Sequence, residues 1–289
     1  MRFVKYHGLG NDFIVLDGAV AITPALARDV CRRGFGIGAD GVMRATPPTT
    51  PGAHLTMDLV NSDGSLPEMC GNGIRCLVKH AVDMLGHSAN PLVVDTPAGA
   101  LACRWTADAN GKVASVRVAM GRPRFVPAEV PLDVRHTLPA HAGQHTISLG
   151  ARDFTGLSVN TGNPHFAIFG DATRATALAF GPALEAHPAF PAKANIEFIE
   201  VIAAGHAGEA PRLQVTVWER GCGLTQACGT GATAAAAAAL RLGHIAHGRE
   251  VAVELPGGTL VITITPDFAE AFMDGPVALA FTGELAGEP

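Results

Sequence analysis

The sequence predicts an α+β protein built as two pseudo-symmetric domains, and three observations carry that prediction. Strand-like segments outnumber helical ones over the 289 residues, with Gly and Asp/Asn clusters such as 61–64 and 108–111 between them. MCGNGIRC at 69–76 and ACGTGATA at 227–234 place one cysteine-glycine corner in each half, each running into a helix-like segment. A Pro-rich stretch, 121–139, separates two portions of similar content. The length suits two cores. Residues 1–120 with 276–289 are expected to form the domain bearing Cys70, and 121–275 the domain bearing Cys228, with the active site in the cleft between them.

Taken in order, the first part offers strands at 2–7, 13–17, 55–61, 92–95, 101–106 and 113–120. The second offers 145–149, 157–160, 166–169, 196–201, 213–218, 250–255 and 259–264, and a last strand, 277–282, follows Gly275-Pro276. Pro24 opens a helix to residue 33, with Thr23 as N-cap and Gly34 as stop. Ile74, Leu77, Val78, Ala81, Val82 and Leu85 have helical spacing and predict a helix at 74–85, ended by Gly86. A further helix is expected at 175–186. The segment 230–242, ended by Gly243, is alanine-rich nearly all round. Small side chains on every face allow close-packed sheet to surround such a helix. Each domain is therefore expected to be a mostly antiparallel sheet or barrel wrapped around a central helix.

Composition excludes several functions. The formal net charge is −5 with both signs dispersed, and no Lys/Arg block marks a nucleic-acid or polybasic membrane surface. No run of strongly apolar residues is long enough to span a bilayer, and the N-terminus lacks a signal-peptide pattern. A cytoplasmic location is expected, with the six cysteines mostly reduced. None forms a C-x-x-C pair, so a zinc ribbon or thioredoxin-like site is not expected, nor any metal site. GFGIG at 34–38 follows a helix-like segment instead of a strand, which argues against a dinucleotide loop.

The doubled corner carries the chemistry. The first N–H groups of a helix lack internal partners and bind anions, helped by the helix dipole. A cysteine placed there is expected to have a lowered pKa and thiolate character. One such corner is equally a nucleophile, a redox thiol or a structural turn. Two facing corners could hold a small carboxylate between them, with a sulfur on each side of its α-carbon. One thiolate would then remove the α-proton while the opposite thiol delivers another to the other face, which inverts configuration. The same N–H groups would stabilise the charge developing on the carboxylate. Oxidation of facing thiols to a disulfide would block the site, so activity is expected to need reductant.

YHGLGNDFIVLD, GIGADG, NSDGSLPEMCGNGIRC, NTGNPHF and WERGCGLTQACGTGATA occur in this order nearly end to end. In these the chain resembles the diaminopimelate epimerases, cofactor-independent enzymes that interconvert LL- and meso-diaminopimelate in lysine and peptidoglycan precursor synthesis. The resemblance implies that Cys70 and Cys228 are the acid/base thiols, and that His165 and Glu219 tune them. It implies that Gly71, Asn72, Gly229 and Thr230 hold the reacting carboxylate, and that Asn11, Asn61, Asn163 and Asn195 bind substrate. Glu219 and Arg220 match the family's Glu-Arg pair; an arginine suits a bidentate grip on the distal carboxylate, and a glutamate accepts from an ammonium. The family further implies a homodimer. Two positions depart from its pattern: Gly41 stands where some members carry glutamine, and Leu224 where many carry an acidic or small residue.

Other readings stand beside this one. The alternative is a racemase of another amino acid, proline, hydroxyproline or histidine, on the same scaffold; Asn72 after the first Cys-Gly, where proline-type enzymes typically have histidine, argues for diaminopimelate. That scaffold also supports carbon–carbon double-bond isomerases, which lack the paired thiols. A cysteine hydrolase would leave one thiol unexplained, and an amino-acid-binding protein would leave both. Cys31, Cys76 and Cys103 are read as core residues and Cys222 as structural, while His136, His141, His145, His244 and His247 are read as surface or loop residues.

Overall fold

The computed structural model describes residues 1–285 other than 19, 68, 207 and 208; the end of the predicted first domain, 286–289, lies outside the described residues. Strand β1 (Arg2–Gly8) turns through Leu9 and Gly10, both at positive φ, and pairs antiparallel with β2 (Asn11–Leu16). Helix α1 (Pro24–Cys31) starts as expected, with the Thr23 side chain accepting the Leu26 N–H. It ends two residues short of the predicted 33, because Arg32 is extended. Strand β3 (Gly41–Thr46), unforeseen in the sequence, lies parallel to β2 and antiparallel to β4 (Leu55–Asn61). Helix α2 (Gly71–Asp83) then leads to β5 (Leu92–Thr96), parallel to β4, and the antiparallel β6 (Gly99–Ala107) and β7 (Val113–Gly121).

The next strands are β8 (Leu138–Pro139), β9 (His145–Leu149), β10 (Arg152–Asn160) and β11 (Pro164–Phe169). Helix α3 (Arg174–Glu185) separates β11 from β12 (Asn195–Ala203). After β13 (Arg212–Glu219) and the short β14 (Gly223–Leu224) comes α4 (Gly229–Arg241). Strands β15 (Val251–Leu255), β16 (Gly258–Ile264), β17 (Ala271–Pro276) and β18 (Ala278–Glu284) complete the chain, and β18 returns to pair with β1.

The chain divides into two compact units, Met1–Ala119 with the stretch from Asp274, and Met120–Met273. In the first, β1 to β6 pair successively antiparallel, parallel, antiparallel, parallel and antiparallel. In the second, β10, β11, β12, β13, β15 and β16 repeat that series. Helices also recur at the same places: α1 and α3 span the first parallel connection, α2 and α4 the second. The duplication thus extends through the topology, whereas the sequence displays it only at the cysteine corners.

Each unit encloses one helix. Helix α2 packs on β1, β2, β3 and β6, and α4 on β10, β11, β12, β13, β15 and β16. In α2 the stripe Ile74, Leu77, Val78 and Ala81 is wholly buried. In α4 every alanine from Ala234 to Ala239 is inaccessible, as the all-round small side chains predict. Helix α3 lies against β12 and β13 and closes a second core built from Phe154, Phe166, Leu184, Phe190 and Phe198. Among the described residues no helix is long and apolar enough to cross a membrane.

Candidate active site

Both cysteine corners are helix N-caps. Cys70 is extended (φ −138°, ψ 101°), and its Sγ accepts the Gly73 N–H at 3.2 Å. Cys228 is likewise extended (φ −123°, ψ 113°), and its Sγ accepts the Gly231 N–H at 3.3 Å. Gly71 and Gly229 are the first residues of α2 and α4. The second glycine of each motif lets the thiol lie close against the helix. A Cβ on Gly73 would lie 3.1 Å from the Cys70 Sγ, and one on Gly231 would lie 3.2 Å from the Cys228 Sγ.

In the first unit, Asn72 donates from Nδ2 to Asn11 Oδ1 at 2.9 Å, and Asn11 donates to Asp40 Oδ2 at 2.6 Å. Arg75, wholly buried, donates from Nη2 to Asn72 Oδ1 at 2.6 Å and from Nη1 to the Pro276 carbonyl at 3.2 Å. Asp40 also accepts the Asp12 N–H and Arg33 Nη2, each at 3.0 Å. Asn61 adjoins this chain: it pairs with Gly41 across β3 and β4, and the Ser62 N–H donates to the Asp40 carbonyl. Asn11, Asn61 and Asn72 thus gather about Asp40, and the Asp40 carboxylate and the buried Arg75 guanidinium fix the amide orientations of Asn11 and Asn72.

In the second unit, Cys228 Sγ lies 3.4 Å from Thr230 Oγ1, while the Thr230 carbonyl accepts the Thr161 hydroxyl. Glu219 accepts from Thr225 Oγ1 at 2.5 Å and lies within hydrogen-bonding reach of the Cys228 thiol. The Glu219-Arg220 turn is held from both sides. Asn195 Oδ1 takes the Arg220 N–H at 2.9 Å, and Glu185 takes the Gly221 N–H at 3.0 Å and Trp218 Nε1 at 2.8 Å. Asn195 also donates to the Pro164 carbonyl, so its amide is engaged with backbone at both ends. Arg220 donates from Nη1 to the Ala192 carbonyl. His165 is inaccessible, with Nδ1 2.6 Å from Glu197 Oε1 and Nε2 2.6 Å from Asn163 Oδ1.

One expectation is overturned here. Cys228 does not have the lowered pKa expected at a helix N-terminus. Burial drives its thiol well above the usual range, and the neighbouring Glu219 carboxylate adds to this. The Thr230 hydroxyl and the Gly231 N–H pull the other way and are outweighed. The magnitudes explain the order, since desolvation moves buried groups by up to ~3–5 units and a helix terminus contributes about 1 kcal/mol, under one unit. Burial likewise raises Glu219 and Glu197. Cys228 therefore holds its proton near neutrality. Among the described residues no group of three His, Cys, Asp or Glu is arranged to hold a metal ion.

The sequence did not single out Glu197, Asp40, Arg75 or Glu185. Glu197 carried one signal, since two-residue spacing puts it on the same face of β12 as Asn195. The departures also have local explanations. A Cβ on Gly41 would meet the Val60 carbonyl at 3.1 Å and Phe13 at 3.2 Å, so a larger residue here would need β4 and Phe13 to give by some tenths of an ångström. Leu224 pairs with Trp218 and packs on the second unit's aromatic core. Cys31, Cys76 and Cys103 are buried as expected, and Cys222 is exposed.

A family model described as diaminopimelate epimerase matches residues 3–126 and 157–280. The chain is 43% identical to the diaminopimelate epimerase of Desulforudis audaxviator over 98% of its own length and 99% of that protein's. It is 42% identical to diaminopimelate epimerase 1 of Nostoc sp. PCC 7120, over 99% of each. Solved structures share the fold at low identity. A hydroxyproline epimerase from Agrobacterium vitis has a TM-score of 0.70 at 15% identity, covering 99% of this chain and 90% of that one. A methylitaconate-delta-isomerase has a TM-score of 0.59 at 15% identity, covering 98% and 95%. Two matched halves, a repeated topology and identity above 40% over whole chains lead to one assignment: the chain belongs to the diaminopimelate epimerase family.

Proposed function

We propose that the protein is a cofactor-independent isomerase that interconverts LL- and meso-diaminopimelate through Cys70 and Cys228. It would work in the cytoplasm, as a homodimer, in lysine and peptidoglycan precursor synthesis. The observation that carries the reading is the doubled N-cap: in each unit a thiol caps the enclosed helix and faces that helix's first N–H groups. Those N–H groups suit a carboxylate and the enediolate-like charge that forms when its α-proton leaves. Inversion needs one thiolate to take the proton and one thiol to give the other. Cys228, which burial keeps protonated, suits the thiol role first, with Cys70 as the base. In the reverse direction Cys228 must ionise, and Glu219 beside it is the group that would take its proton. Arg220, whose backbone N–H is held by Asn195, suits the distal carboxylate and an asparagine the distal ammonium, which a substrate with an amino acid at both ends requires.

The test is proton NMR of reduced enzyme with LL-diaminopimelate in D₂O, with Cys70→Ala and Cys228→Ala variants, and with proline, hydroxyproline and histidine as rival substrates. Deuterium at one α-position with meso product, lost in both variants, is expected. Exchange into a rival amino acid alone would retain the thiol chemistry and reassign the substrate. No exchange in folded, reduced enzyme would end the acid/base reading.

A further inference from the structure

Glu197 is a carboxylic acid on a strand covered on both faces, and no part of its side chain reaches solvent. Its Oε1 meets His165 Nδ1 at 2.6 Å, and its Oε2 is buried without a partner. A Cβ on Gly231 would lie 3.0 Å from that Oε1, so the carboxyl sits against the first turn of α4 beside Cys228. A full charge here would be costly, because water is excluded and Glu219 lies nearby.

The other side of His165 supplies the consequence. Both imidazole nitrogens face oxygens, Glu197 Oε1 and Asn163 Oδ1, each at 2.6 Å. If the pair carries two protons it is neutral overall, either as carboxylic acid with imidazole or as carboxylate with imidazolium. In both forms Nε2 keeps a hydrogen, which it donates to Asn163 Oδ1. The form with a lone pair on Nε2 leaves a net negative charge wholly buried. Asn163 Oδ1 is then fixed toward His165, and its Nδ2 is turned outward as a donor.

We propose that Glu197 is a positioning residue: by sharing a proton with His165 it keeps Nε2–H on Asn163 and thereby presents the Asn163 Nδ2–H₂ group to a substrate carboxylate. The idea rests on the proposed function for the identity of that substrate, but its protonation claim does not.

Two variants of similar size separate the outcomes. Glu197→Gln can donate to Nδ1 from its own amide and leave the proton on Nε2, so KM stays within about threefold of wild type. Glu197→Met fills the space but bonds nothing. Losing an aligned donor to a charged group costs on the order of tenfold to a hundredfold, expected in KM more than in kcat. Imidazole ¹⁵N NMR of histidine-labelled wild-type enzyme, with the His165 signal assigned through His165→Gln, should show Nε2 protonated. An unprotonated Nε2, or Glu197→Met with wild-type KM, would overturn the proposal. If Glu197→Met does not fold, the ¹⁵N spectrum and Glu197→Gln decide it. Wild-type enzyme that exchanges no deuterium into diaminopimelate would instead overturn the function and leave the ¹⁵N result to be read alone.

Discussion

At Gly73 and Gly231 two energies act in opposite directions on one substitution. Both glycines are the third residue of a helix, where alanine is favoured by about 1 kcal/mol. Neither has a positive φ, so alanine brings no backbone strain. The added Cβ of Gly231→Ala would nonetheless lie 3.0 Å from Glu197 Oε1 and 3.2 Å from Cys228 Sγ, closer than carbon normally packs. The thiol rotates or shifts by some tenths of an ångström to accommodate it. Stability should therefore stay within about 1 kcal/mol of wild type, while kcat/KM falls by on the order of tenfold to a hundredfold. Thermal unfolding and α-proton exchange, measured on the same preparation, check both halves. Wild-type exchange would show that the thiol need not sit against that glycine. The motif's cysteines were legible in the sequence because two recurred in one context. Their capping role was not, since cysteine is absent from the usual N-cap residues, and so α2 and α4 read as starting at residues 74 and 230 instead of Gly71 and Gly229.

The two enclosed helices solve the same packing problem differently. Helix α2 keeps polar residues in its buried surface and gives each a partner. Lys79 bonds Asp83 at 2.9 Å and the Val113 carbonyl, and His80 meets Tyr6 at 3.3 Å. Helix α4 confines its buried polar side chains to the first turns, where the Thr233 hydroxyl donates to the Gly229 carbonyl, and relies on alanine beyond, which lets six strands approach it. Ala236→Leu should therefore cost more than Ala236→Gly. The leucine must displace sheet on whichever side it points, at about 1–3 kcal/mol or more, whereas the glycine forfeits about 1 kcal/mol of helix propensity. Urea unfolding of the two variants ranks them, and a leucine milder than the glycine would mean that α4 has a yielding side. Periodicity revealed both helices but missed strands whose composition hides them. Strand β3 contains Gly41, Arg44 and Ala45, and β17 ends in Asp274-Gly275-Pro276, which reads as a turn. Glu197 escaped for a related reason. Its alternation with Ile196 and Phe198 reads as a solvent face, but α4 covers that face and turns it into the inner wall of the site.

Across the whole molecule the unusual stake is in buried acids. Burial pushes Cys103 up to about 12 and Cys31 to about 12, and raises Cys76 as well. The sign follows from linkage. Below a free thiol's pKa of ~8.5 both folded and unfolded chains hold these protons, and pH has no effect through them. Above it the unfolded chain releases protons that the folded chain retains, so stability falls until the folded pKa is reached. Each such thiol costs about 1.4 kcal/mol per pH unit, or about 2 kcal/mol by pH 10. Three of them, all in the unit bearing Cys70, add up to a sizeable part of a typical domain's ~5–15 kcal/mol. Cys103 lies on β6, wholly buried and away from both helix N-caps, which makes it the clean probe. Cys103→Ala should cost about 1 kcal/mol at pH 7 for the lost sulfur, yet lose about 2 kcal/mol less than wild type between pH 7 and pH 10. The two stability curves then cross on the alkaline side. Urea unfolding at both pH values, followed by a probe in the first unit, measures this. Parallel losses in the two proteins would place the alkaline sensitivity elsewhere, with Tyr6, also raised by burial, as the next group to replace.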